Sequence, residues 1–229
     1  MAKIATDRFN RDESTHREAF RILRSNVLVS IAGLANPVVI VTSAEPAEGK
    51  TSTCTSLARA LCSAGLRVVL VDLDLRRPTA HRWIGGHNET GVVDVLLQRQ
   101  TLDEALQFIP VKERDDAEST GLYFLAAGEG ATNPTELLGT ARTARLLETL
   151  ALQADIVLLD TPPVLPVADT LVIGRMAAGA LLVCESRRTP ISSIRQAKDA
   201  LTRNQTRLLG VVLNKIEARD MAHGTRYDY

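Results

Sequence analysis

The sequence predicts an α/β fold, a doubly wound and mostly parallel sheet flanked by helices. Three observations carry that prediction. Short β-branched runs alternate along the chain with segments of helical periodicity, the pattern of βα units joined by right-handed crossovers. Several of those runs are continuously apolar rather than alternating, as strands covered on both faces are. Of the 229 residues 45% are hydrophobic but only 3% aromatic, a supply of Val, Leu, Ala and Ile that suits buried parallel strands.

Taken in order, Thr15 with Glu18 reads as a capping box that opens an amphipathic helix, on which Phe20, Leu23, Val27 and Ile31 recur at helical spacing. Val38 to Thr42 reads as the first strand. A helix over Lys50 to Ala64 follows, with Cys54, Leu57, Ala58 and Leu61 on one stripe and Gly65 as its stop. Arg67 to Asp72 is the second strand, and Lys112 to Thr120 is a charged connection before the third, Leu122 to Leu125. Pro134 to Leu152 reads as a helix, Asp155 to Asp160 as the fourth strand and Ala180 to Cys184 as the fifth. Pro190 to Arg203 is helical again, and Leu208 to Leu213 is the last strand. After Asn214 the apolar periodicity stops. The expected organisation is an N-terminal arm and amphipathic helix over 1–36, the α/β domain over 37–213 and a flexible polar tail over 214–229.

Composition excludes several classes. Lys plus Arg and Asp plus Glu both total 27, so no bulk charge grips nucleic acid or an anionic bilayer, and no nucleic-acid partner is expected. Cys54, Cys62 and Cys184 lack CxxC spacing, which argues against a disulfide framework or a zinc site and for the reducing cytosol. His16, His81, His87 and His223 are scattered without an i, i+4 pair and read as surface or loop residues. The first 30 residues show no signal-peptide core, and the most apolar stretch, Ile156 to Ile173, is interrupted by Asp160, prolines and Asp169. Membrane contact is therefore expected only through a partner.

The chemistry concentrates at the strand ends. Ser43-Ala44-Glu45-Pro46-Ala47-Glu48-Gly49-Lys50-Thr51 lies between the first strand and the first long helix, which is the context of a P-loop. Such a loop aims backbone N–H groups and the helix dipole at a phosphate. Lys50 adds a positive charge there, and the Thr51 hydroxyl can ligate Mg²⁺. Ala44 stands where the usual pattern has its first glycine, but Gly49 still admits a close backbone approach. The second strand runs into Asp72-Leu73-Asp74, where period two places both carboxylates on one side. The fourth strand brings Asp160 to the same edge. Three acids facing one P-loop fit Mg²⁺ bridging the phosphates, with one acid left as a base. An Asp closing a strand also commonly caps the turn that follows.

Together these residues resemble the bacterial tyrosine kinases of capsule and exopolysaccharide assembly over nearly the whole chain, on a P-loop NTPase fold. Val69 to Arg76 is similar to that family's second Walker element ending DxDxR, and Val157 to Pro163 to its Walker B with DTPP. Asn133-Pro134-Thr135-Glu136-Leu137-Leu138 resembles its NPxELL segment, and Glu18, Arg21 and Arg24 its ExxRxxR oligomerisation motif. The resemblance implies ATP and Mg²⁺, with Ala47, Glu48, Gly49, Lys50, Thr51 and Ser52 along the phosphates and Asn214 and Lys215 beside the adenine. It implies Lys50 on the β/γ-phosphates, Thr51, Asp74 and Asp160 at Mg²⁺, and Asp72 as the base toward a tyrosine hydroxyl.

The acceptors it implies are Tyr227 and Tyr229, where family members usually carry a larger tyrosine cluster. An extended tail from Asn214 spans roughly 45 Å to Tyr227, enough to reach a neighbouring subunit. The implied state is a homo-oligomeric ring, an octamer being one candidate size. It would sit in the cytoplasm at the inner face of the plasma membrane, held there by the cytoplasmic tail of a membrane-embedded activator. Periodicity alone reads Glu18 and Arg21 as a solvated i, i+3 pair; only the resemblance makes them a subunit contact. The main rival is a MinD/ParA-like ATPase switch without kinase activity, whose signature lysine position is Glu45 here. A non-catalytic ATP-binding scaffold is opposed by intact Lys50, Asp72, Asp74 and Asp160. A nitrogenase-reductase-like iron–sulfur role lacks cluster spacing.

Overall fold

The computed structural model describes residues 3–34, 37–111 and 120–216. The strands are β1 (Val38–Ser43), β2 (Val68–Asp72), β3 (Leu106–Val111), β4 (Thr120–Leu125), β5 (Ile156–Asp160), β6 (Gly179–Glu185) and β7 (Leu208–Asn214). The longer helices are α1 (Lys3–Ser30), α2 (Lys50–Cys62), α7 (Ala141–Gln153) and α9 (Ile191–Arg203). Shorter ones are α3 (Ala80–Ile84), α4 (Val92–Leu96), α5 (Leu102–Ala105), α6 (Pro134–Leu138) and α8 (Asp169–Gly174). One seven-stranded sheet in the order β3-β4-β2-β5-β1-β6-β7 holds them together. All its pairings are parallel except β3 with β4.

The central strands β1, β2 and β5 are buried on both faces. On one, α1, α2 and α3 cover the sheet through Val27, Ile31, Leu57, Leu61 and Ile84. On the other, α4, α7, α8 and α9 cover it through Leu96, Leu147, Leu150, Ile173 and Leu201. Burial of a Leu or Ile side chain of this kind is worth about 1.5–3 kcal/mol, so the apolar stripes on the helices dictate the two-layer cover.

The helix boundaries differ from the sequence expectation in two places. Helix α1 runs unbroken through Thr15, so Thr15 and Glu18 form no capping box. Extending a formed helix gains one hydrogen bond per residue fixed, and this outweighs a local N-cap preference. The predicted helix over Pro134 to Leu152 is two helices, because the chain breaks at Gly139-Thr140 and the hydroxyls of Thr140 and Thr143 bond the Leu137 carbonyl instead. His81 is half-buried on α3 rather than a surface residue, and its Nδ1 has no partner among the described residues.

The antiparallel edge strand β3 was not expected from the sequence. Pro110 lowers its strand character, and its burial alternates only weakly. Helix α5, capped by Thr101 and Glu104 in a reciprocal box, delivers the chain directly into it. For the site, what matters is the middle of the sheet. The carboxyl ends of β2, β5 and β1 lie side by side, and the register sets Asp72 opposite Asp160.

Candidate active site

The loop after β1 is held open by its own backbone. Ala47 sits at φ 66° and Gly49 at φ 91°, both in the left-handed region, and Gly49 stands at the N-cap of α2. A Cβ at Gly49 would lie 2.0 Å from the Asn214 Nδ2, so this position needs glycine for both conformation and space. Asn214 Nδ2 donates to the Glu48 carbonyl at 3.0 Å, and Lys215 Nζ donates to the Ala47 carbonyl at 2.7 Å. Ser52 Oγ closes on the Gly49 carbonyl at 3.0 Å.

The side chain of Glu48 turns inward and is 4% exposed. One of its oxygens accepts from the Glu45 N–H at 3.0 Å and the other from the Thr189 hydroxyl. Thr189 in turn accepts from the Glu185 N–H at 2.8 Å, and the Glu185 carboxylate pairs with Lys215 at 2.8 Å. The loop after β6 is thus tied to the phosphate loop by two threads. Thr189 and Glu185 carried no sequence signal beyond lying at the end of a strand.

Lys50 points from the first turn of α2 toward the acids. Its Nζ lies 2.8 Å from Asp74 Oδ2 and 3.6 Å from Asp160 Oδ1, with the Thr51 hydroxyl at 3.3 Å. Burial pushes the ammonium pKa down, but the carboxylates of Asp160 and Asp74 outweigh it, so Lys50 stands above its usual value and is charged.

The three acids are not equivalent. Strand β2 ends at Asp72, so Asp74 reaches the site through the following turn rather than by strand period; its Oδ1 accepts from the Arg77 N–H at 3.1 Å. Asp72 is fully buried, and its carboxylate accepts from the N–H groups of Asp74, Thr79 and Ala80 at 3.0–3.1 Å. It therefore caps the turn into α3. Contact between Asp72 and an incoming group requires the turn from Asp74 to Ala80 to open.

Asp160 is also fully buried, and neither of its oxygens has a donor in good hydrogen-bond geometry among the described residues. Burial, followed by the Asp160 charge, pushes Asp72 up to about 8. Burial pushes Asp160 up to about 6 against the pull of Lys50. Two opposed buried carboxylates beside one ammonium, one of them unsatisfied, have the chemistry of a site that receives a further cation. Among the described residues no three His, Cys, Asp or Glu side chains cluster tightly enough to hold a metal alone. Oxygens from a phosphate would have to complete the shell around Thr51, Asp74 and Asp160.

Beyond Asp74 the chain is clamped. Arg76 Nε and Nη2 donate to the two oxygens of Asp169 at 2.7 and 3.1 Å, and Nη2 also reaches the Thr135 hydroxyl at 3.0 Å. Thr135 also donates to Asp169, which is fully buried in the first turn of α8. Sequence reasoning missed Asp169 as a site residue. Its one signal was an acid opening the apolar run Asp169 to Gly174.

The expected subunit-contact residues divide. Glu18 and Arg21 form an exposed pair at 3.4 Å, whereas Arg24 Nη1 donates to the Ala60 carbonyl in the last turn of α2 at 3.0 Å. Tyr227 and Tyr229 lie outside the described residues. Among the described residues no helix is long and apolar enough to cross a membrane, and the three cysteines are buried.

Comparison with known proteins gives consistent results. The family model for the CobQ/CobB/MinD/ParA nucleotide binding domain matches residues 39–228. The chain is 32% identical over 217 residues to the tyrosine-protein kinase YwqD of Bacillus subtilis, covering 95% of this chain and 87% of that one. It is 30% identical over 205 residues to the tyrosine-protein kinase Wzc of Salmonella typhimurium, covering 88% of this chain but 27% of that one. Among solved structures it is similar to the kinase domain of the Escherichia coli tyrosine kinase ETK, with a TM-score of 0.79 and 27% identity over 93% of this chain and 79% of that one.

Proposed function

This chain belongs to the bacterial tyrosine-protein kinases built on that nucleotide-binding domain, and from that premise we propose that it is an ATP-dependent autokinase that phosphorylates Tyr227 and Tyr229 in trans. The chain spans most of YwqD but about a quarter of Wzc, so its partners are part of the proposal. It works as the kinase unit, residues 37–213, of a homo-oligomeric ring, with 1–36 contributing the subunit contact through Glu18 and Arg21 and 214–229 presenting the acceptors. A membrane-embedded activator holds the ring at the inner face of the plasma membrane, where it regulates capsule or exopolysaccharide synthesis and export.

The observation that carries the reading is the trio of Lys50, Asp74 and the unsatisfied Asp160 at the mouth of the phosphate loop. The backbone from Ala47 to Ser52 cradles the phosphates, and Asn214 and Lys215 border the base. Lys50 leaves its carboxylate partners for the β/γ-phosphates when nucleotide arrives. Thr51, Asp74 and Asp160 would hold Mg²⁺, which would supply charge neutralisation at the phosphate oxygens.

Asp72 accepts the tyrosine proton once its turn opens. In the closed turn burial and the Asp160 charge favour its protonated form, so opening of the turn and a cation beside Asp160 are what free it to act as a base. The rest is positioning and charge stabilisation.

Intact mass of the purified chain after Mg-ATP, with and without the activator's cytoplasmic segment, tests this. One or two added phosphates that vanish in the Tyr227→Phe/Tyr229→Phe double variant support it. ATP hydrolysis without phosphoprotein would replace it with the switch reading.

A further inference from the structure

At the carboxyl edge of β2 and β4, next to Asp74, lies a cleft of about 520 Å³ lined by Arg76, Pro78, Asn88, Gly130 and Pro134 among others. It shares Asn88 and Glu129 with a neighbouring cleft of about 220 Å³ that runs on to His81 and His87. The two make an elongated depression, a shape suited to an extended peptide rather than to a compact ion.

Arg76 is the cation of its wall. Two edges of its guanidinium are fixed by Asp169 and Thr135, while Nη1 has no partner among the described residues. Its side chain is 40% exposed. A guanidinium held in this way is pre-organised, so a further carboxylate bonds Nη1 without the cost of ordering the side chain. Two exposed carboxylates line the depression, Glu129 where the two clefts join and Glu89 in the smaller one, so an acidic ligand is repelled from the His81–His87 end more than from Arg76.

The sequence supplies a matching ligand. The proposed acceptors are separated by a single acid, Tyr227-Asp228-Tyr229, so either tyrosine brings a carboxylate one residue away. We propose that this cleft receives the chain flanking the acceptor tyrosine and that Arg76 reads an acidic residue next to it, making the substrate class acid-flanked tyrosines. The proposal rests on the kinase reading and adds the specificity-determining residue to it.

The test uses the full chain, Mg-ATP and two synthetic peptides, residues 223–229 as they stand and the same peptide with asparagine at 228, with phosphate on each measured by mass. Loss of a charge-assisted hydrogen bond predicts about tenfold lower kcat/KM for the asparagine peptide. In Arg76→Gln that ratio falls to about one, whatever the variant loses in absolute rate, because the ratio is internal to each enzyme. A lysine-228 peptide, poorer still with the wild-type chain, decides the matter should Arg76→Gln be too slow to measure. Equal transfer to the aspartate and asparagine peptides overturns this inference alone. ATP turnover with no phosphate on any peptide or on the tail overturns the kinase reading with it.

Discussion

Asn214, the last residue of β7, lies against the phosphate loop so closely that a Cβ on Gly49 would stand 2.0 Å from its Nδ2. Glycine is required there twice over, by φ 91° and by this contact. Gly49→Ala carries about 1–2 kcal/mol of left-handed strain plus the displacement of Asn214, so Mg-ADP binding measured by calorimetry should be lost. Adding Asn214→Ala relieves the steric part and leaves the strain, so the melting temperature of the double variant should lie above the sum of the single losses. Strict additivity would show that the two residues do not touch.

Stability should depend on pH through the opposed acids. Asp72 is raised to about 8 and Asp160 to about 6, both first of all by burial. Between the ordinary carboxylate value near 4 and those values the folded chain binds more protons than the unfolded one. The stabilisation is therefore complete below about pH 4 and is lost as pH climbs through 6 and then 8. Without nucleotide, the melting temperature should fall from pH 5 to pH 8. Asp72→Asn should flatten the part of that fall between 6 and 8, even though losing one acceptor oxygen lowers the whole curve. A wild-type profile that rises over this range contradicts the assignment. Mg-nucleotide binding should run the opposite way, strengthening as Asp160 ionises.

The central strands and the phosphate loop were legible because their signals are local: continuous apolar runs, a Gly-Lys-Thr at a helix start, acids at strand ends. Which acid does what was not legible. Asp72 and Asp74 look alike in sequence, yet one is sealed under three backbone N–H groups and the other faces Lys50. That difference depends on where β2 stops and how the chain turns into α3. Asp169 and Thr135 were hidden for a related reason. Their partner Arg76 is 93 and 59 residues away in sequence, and only the packing of α6 and α8 brings them together. Strand β3 was obscured by Pro110, which an edge strand tolerates because one side of its backbone needs no partner.

Arg21 and Arg24 should behave differently although one motif contains both. Arg24 bonds a carbonyl in the last turn of α2, where a cation also meets the negative end of the helix dipole. Arg24→Ala should cost about 1 kcal/mol, lowering the melting temperature by about 2–4 °C in a chain of this size. Glu18→Ala and Arg21→Ala remove an exposed pair worth little, and their melting temperatures should not move beyond error. If the pair forms the subunit contact, those two variants should instead shift the sedimentation profile. An unchanged profile would leave Glu18 and Arg21 as a solvated face.

The buried Glu48 should act on nucleotide affinity without touching nucleotide through its side chain. Its carboxylate satisfies the Glu45 N–H and the Thr189 hydroxyl, so Glu48→Ala removes the acceptor of two half-buried donors, a loss of about 0.5–1.5 kcal/mol per bond. The phosphate loop then loses one of its two ties to the loop after β6, and Mg-ADP affinity should fall while far-UV circular dichroism is unchanged. Thr189→Ala cuts the same thread from the other end and leaves the Glu45 bond intact, so its loss should be smaller. Combining the two should add little to Glu48→Ala, since the shared bond is already gone. Independent, additive losses would place the role of Glu48 in direct contact with the nucleotide instead.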